Sequence, residues 1–113
     1  VRFVDILRIS EQVARRSETY ADVYGFERTP EWFMLKLQEE VGELTQAFMA
    51  MEGTGRARNQ TPAELKQKFR DEIADVLCHT LLLADHYGVD PVAAIDAKWF
   101  KYDDGLSLRQ SDA

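Results

Sequence analysis

Apolar residues in this chain recur at the three-and-four spacing of an α-helix, and no run alternates with the period of two that marks a strand. One stripe joins Phe33, Leu37, Val41, Leu44, Phe48 and Met51; a second joins Phe69, Ile73, Val76, Leu77, Thr80 and Ala84. The punctuation agrees with the pattern. Thr29-Pro30, Thr61-Pro62 and Asp90-Pro91 each set a capping side chain ahead of a proline, whose missing N–H costs nothing at the first helical position. Glu64, three residues after Thr61, completes a capping box. Gly25, Gly53 with Gly55, and Gly88 follow the apolar runs, where helices stop. The chain therefore predicts helices at about 2–24, 30–52, 62–87 and 91–102, the longest break at 53–60 and a polar tail at 103–113.

At about 1.5 Å per residue the two central helices would run roughly 35–39 Å, the proportions of a bundle. The fold class expected is all-α, a four-helix bundle in a single domain spanning 1–113. Helices this long in a chain of 113 residues leave wide flanks to cover, which predicts completion as a homodimer or homotetramer.

A formal charge of −6 argues against a nucleic-acid binder. Arg56-Ala57-Arg58 and the set Lys66, Lys68 and Arg70 are sparse, mixed with acids, and read as solvated surface. The single cysteine, Cys78, lies in an apolar run and reads as a small buried hydrophobe in a reducing compartment. The opening residues lack a charged-then-apolar signal pattern, and no apolar stretch approaches membrane-spanning length. The expected setting is the cytoplasm, away from membranes.

Chemistry enters through two acidic pairs, Glu40/Glu43 and Glu72/Asp75, each spaced i, i+3 within a central helix. If those helices pack together, four carboxylates converge. Two unit charges about 4 Å apart repel by about 4 kcal/mol at an effective dielectric of about 20. Counting does not decide, because pairs at this spacing arise by chance; placement does. Glu40 and Glu43 share a stripe with Phe33, Lys36, Ala47 and Ala50, and Glu72 and Asp75 share one with Leu65, His79 and Leu82. Carboxylates on half-buried stripes must meet bases or a metal, and the residues alone leave both open. A metal held by oxygens would be hard, Mg²⁺ or Mn²⁺. Gly42, between the acids, would let a neighbouring helix or ligand approach closely.

Other sites fit worse. A di-iron bundle needs Glu-x-x-His twice, yet Val76 and Leu83 stand three before His79 and His86. One cysteine and two histidines cannot close a zinc site, and Gly53-Thr54-Gly55 lacks the rest of a phosphate loop.

Glu39-Glu40-Val41-Gly42-Glu43-Leu44, followed by Asp71-Glu72-Ile73-Ala74-Asp75-Val76-Leu77, resembles the ExxE…ExxD signature of the MazG-like nucleotide pyrophosphohydrolases. That superfamily is all-α and Mg²⁺-dependent. It includes the dimeric dUTPases, the dCTP pyrophosphatases and the phosphoribosyl-ATP pyrophosphohydrolases. The resemblance covers about residues 30–102. It implies hydrolysis of an NTP or dNTP, including modified-base forms, to the monophosphate and pyrophosphate. Glu40, Glu43, Glu72 and Asp75 would be the metal ligands, and Glu39 would orient or deprotonate the attacking water. Lys98 and Lys101 would contact phosphates, and Lys36, Trp32 and His79 would contact substrate.

Two departures argue against a dCTP-like base pocket. His79 stands where those relatives carry an aromatic residue, and Tyr102 where they carry asparagine. Asp75-x-x-x-His79 is instead similar to the phosphoribosyl-ATP pyrophosphohydrolases, though the rest of their N-terminal pattern is missing. Several readings stay open. Glu39 could simply pair with Lys36, Lys98 could be a surface lysine, and His79 could be a core residue. Trp32 and Phe33 could stack on a base, staple a helix start or meet another subunit. Cleavage of phosphoribosyl-ATP and a non-catalytic helical interaction module are the alternative functions.

Overall fold

Thr29, Thr61 and Asp90 cap three of the four α-helices in the computed structural model, which describes residues 5–108. The helices are α1 (Ile6–Tyr24), α2 (Pro30–Met51), α3 (Pro62–His86) and α4 (Pro91–Trp99), followed by a 3₁₀ turn at Asp104–Leu106. No strand occurs among the described residues. Residues 2–4 of the expected first helix and 109–113 of the expected tail lie outside the described residues.

The local signals act as their chemistry requires. Thr29 Oγ1 accepts from Trp32 N at 3.1 Å. The Thr61 and Glu64 side chains each accept from the other's backbone N–H, at 3.2 and 3.0 Å. Asp90 Oδ1 takes the amides of Val92 and Ala93. Asp5, not read as a cap in the sequence, starts α1 by accepting from Arg8 N at 2.9 Å. Gly25 closes α1 in the left-handed conformation, φ 67°, that an L side chain resists. The expected fourth helix is cut short. It ends at Trp99 rather than 102, and Asp96 Oδ1 accepts from Leu108 N at 2.6 Å as the chain folds back along it.

Helices α2 and α3 form an antiparallel hairpin. Phe33 stacks on His86 with ring centroids 4.4 Å apart, and Phe48 lies 6.3 Å from Phe69 at the other end. Helix α1 packs on α3, and α4 packs on α1. Arg28 fastens the α1–α2 turn: Nη1 donates to Ser17 Oγ at 2.9 Å, and the guanidinium lies over the Phe33 ring at 5.2 Å. The apolar core comprises Ala21, Phe33, Ala47, Leu65, Leu81 and Leu82.

The seam between α2 and α3 is rotated from the two apolar stripes. Glu40 and Glu72 are buried in it, whereas Phe48 is 48% and Leu77 60% exposed, with Val41 and Ile73 open beside them. One chain thus leaves an apolar flank uncovered. Gly42 lies on the outer side, with nothing within 4 Å of where a Cβ would stand, so no close approach within one chain requires it. Cys78 is a free, half-buried thiol whose pKa is pushed up by burial and by the Asp75 charge, which disfavours the thiolate. Among the described residues no helix is long and apolar enough to cross a membrane.

Candidate active site

Glu40 and Glu43 are one turn apart on α2, and Glu72 faces them from α3. One carboxylate oxygen from each lies within 4.8 Å of the other two. Glu72 is only 1% exposed and Glu40 8%. Lys68 Nζ reaches Glu72 Oε1 at 2.6 Å from one turn earlier on α3. The second oxygens of Glu40 and Glu72 are buried without a hydrogen-bond partner. A buried acceptor left unmatched costs about 1–3 kcal/mol.

Electrostatics make the strain explicit. Burial pushes the Glu40 carboxyl up to about 7, with further contributions from the charges of Glu43 and Asp75, a hydrogen bond with Glu43, and Glu72. The Glu72 contact holds the Lys68 ammonium above its usual range. Oxygen-only donors, orphaned lone pairs and a carboxyl forced toward its protonated form are the features a hard divalent cation would relieve. The three acids fit such an ion.

The other sequence candidates fall around this group. Asp75 is exposed and outside the three-oxygen group, yet near enough for its charge to act on Glu40. Glu39 is exposed and accepts from Lys36 Nζ at 3.3 Å, the pairing that the sequence left open. His79 places Nε2 3.9 Å from Glu40 Oε1, while its Nδ1 is buried without a partner. Burial first, then the Lys36 charge, lowers its pKa, so the imidazole is neutral near pH 7. The Trp32 ring lies 6.2 Å from that of His79.

Trp32, Lys36, Glu40 and His79 line a cleft of about 470 Å³ whose far wall is α1, with Gln12, Arg16, Ser17 and Tyr20. Its size suits a small-molecule ligand. The sequence reading missed those α1 residues. Their one signal was local: Gln12, Arg16 and Tyr20 repeat at i, i+4 and so share a helix side. A second hollow, about 420 Å³, adjoins Glu43 and Glu72 on the other side and carries Arg56, Arg58, Gln60 and Lys68. Lys98 and Lys101 line a separate hollow with Trp99 and Tyr102 that shares no residue with the carboxylate group. The structure therefore gathers Glu40, Glu43 and Glu72, with Trp32, Lys36 and His79 alongside, and leaves Lys98 and Lys101 apart.

A family model described as phosphoribosyl-ATP pyrophosphohydrolase matches residues 8–97. The match spans the acidic group and both hollows beside it, and stops short of Lys98 and Lys101. Neither the curated proteins nor the solved structures contain a match.

Proposed function

The chain belongs to the phosphoribosyl-ATP pyrophosphohydrolase family, within the MazG-like all-α superfamily, and from that premise we propose that it hydrolyses a nucleoside triphosphate to the monophosphate and pyrophosphate. The substrate proposed is an NTP or dNTP, including modified-base forms. The observation that carries this reading is the three-carboxylate group inside the matched span, with Glu40 and Glu72 buried and each holding an unpartnered oxygen.

Glu40, Glu43 and Glu72, with Asp75 at the rim, would hold Mg²⁺ or Mn²⁺, which when bound supplies charge neutralisation at the phosphates and acidifies water. Glu39 is proposed to exchange Lys36 for the attacking water, orienting it and taking its proton, while Lys36 turns to the phosphates. Trp32 and Tyr20 offer faces for a base. His79, neutral, can meet a base edge through whichever nitrogen matches it. For Lys98 and Lys101 a role at the phosphates would depend on a second copy bringing α4 to the site. A homodimer or homotetramer closed over the apolar flank of α2 and α3 is part of this proposal.

A panel of ordinary and modified NTPs and dNTPs with Mg²⁺, scored for pyrophosphate against orthophosphate, tests the reading. Pyrophosphate release is expected; orthophosphate alone would refute it. A second reading, cleavage of phosphoribosyl-ATP, is favoured by the family model and by the Asp75-x-x-x-His79 spacing. It breaks the same α–β anhydride, and adding that substrate to the panel separates the two. A non-catalytic module would show no Mg²⁺-linked rise in Tm.

A further inference from the structure

Two hollows of different lining flank the carboxylate group. The one on the α1 side shares Glu40 and carries the rings of Tyr20 and Trp32; the one on the loop side shares Glu43 and Glu72 and carries Arg56 and Arg58. Resting on the hydrolase reading above, we propose that Arg56 and Arg58, on the α2–α3 loop, form the subsite for the β- and γ-phosphates. A bound nucleotide then lies across the acids, its nucleoside toward α1 and its leaving pyrophosphate toward the loop.

Among the described residues, unpaired positive charge is greater on the loop side, with two arginines against one. Lys68 is already committed to Glu72 at 2.6 Å, whereas neither Arg56 nor Arg58 has an ion-pair partner among the described residues. Guanidinium forks match phosphate oxygens in pairs and stay charged at any working pH. The side chains of Ala47 and Ala50, on the α2 wall of this hollow, are too short to fill it. The α1 side offers one unpaired guanidinium, Arg16, and Lys36, which is paired with Glu39; Tyr20, Trp32, Ile9, Val13 and Leu82 make up much of the rest of its lining.

The loop is also built to present these residues. The amides of Thr54 and Gly55 both donate to Met49 O, at 2.8 and 2.9 Å, folding the chain back on the end of α2. A Cβ at Gly55 would stand 3.0 Å from Ala50 N and 3.1 Å from the Met49 carbonyl carbon, so any larger residue would push the backbone at the end of α2 aside by a few tenths of an ångström. Arg58 and Asn59 then take successive left-handed conformations, φ 50° and 62°. Non-glycine residues rarely adopt that region, least of all twice running. The reversal puts Arg56 and Arg58 on one hollow, although in the sequence they read as ordinary solvated surface.

The test is calorimetric titration of the Mg²⁺-saturated full chain with inorganic pyrophosphate. Wild type is expected to bind, and R56Q/R58Q to bind about tenfold or more weakly, with unchanged Tm. R8Q/R15Q, which removes equal charge from exposed positions on α1, should stay within about twofold of wild type. Equal affinity in wild type and R56Q/R58Q, equal weakening in both double variants, or no binding by wild type would each overturn the proposal. A chain that binds pyrophosphate through these arginines yet releases none from any nucleotide would instead refute the hydrolase reading and leave the anion subsite standing.

Discussion

Across the α2–α3 seam, Nε2 of His79 stands 3.9 Å from Oε1 of Glu40, and both side chains are driven toward neutrality. Burial lowers the imidazole pKa, and burial with neighbouring acids raises the carboxyl to about 7. The contact is therefore no ordinary ion pair in the metal-free protein. It is a place where charge is expensive, and that cost can be measured.

Between the usual carboxyl value of 4.5 and about 7, the native state keeps a Glu40 proton that the unfolded chain has lost. Metal-free stability attributable to Glu40 should thus fall as pH rises through that window and level off above it. E40Q removes the effect and should be the more stable protein at pH 8, by roughly 3 kcal/mol at most. His79 acts in the opposite sense, its contribution being lost as pH falls below its unfolded value of 6.5. The difference between E40Q and wild type in urea melts across pH 4–9 isolates Glu40; a pH-independent difference would contradict this account.

E43Q should lose both Mg²⁺-linked stabilisation and turnover. Wild type at a hundred times Kd gains about 2.7 kcal/mol from an ion that binds only the folded chain. Thermal melts with and without Mg²⁺ should show that gain in wild type and little of it in E43Q, and turnover should drop about 100-fold or more. Full Mg²⁺-dependent turnover in E43Q would remove Glu43 from the ligand set.

Trp32 separates substrate binding from the acids. Loss of one stacking face costs about 1–3 kcal/mol, so W32A should raise KM about tenfold while its Mg²⁺-linked Tm shift stays as in wild type. W32F should recover most of the loss. A W32A protein with unchanged KM would place the base elsewhere.

Phe48, half exposed beside Val41 and Ile73, tests the uncovered flank. Light scattering should give wild type the mass of a dimer or tetramer and F48E that of one chain, with helical circular dichroism retained. A monomeric wild type would show that the flank stays open in solution.

The helix framework was legible because its signals are local. Thr29-Pro30, Thr61-Pro62-Ala63-Glu64 and Asp90-Pro91 need only their own next turn to act, and three of the four helices begin where they stand. The i, i+3 acids were legible for the same reason, and Glu40, Glu43 and Glu72 do converge. What depended on other elements was hidden. An apolar stripe such as Val41 and Phe48 does not say whether its own chain or another covers it. No residue near Gln12 or Tyr20 announces that α1 will wall the cleft. Arg56 and Arg58 look solvated until two left-handed residues fold the loop back to the acids.

Lys68 gives the bare protein a tethered counterion. With its ammonium seated on the most deeply buried acid, the bundle can assemble before any metal arrives, and chelation need not unravel it. Because the other oxygen of Glu72 has no hydrogen-bond partner, an incoming ion need not evict the lysine to gain a foothold.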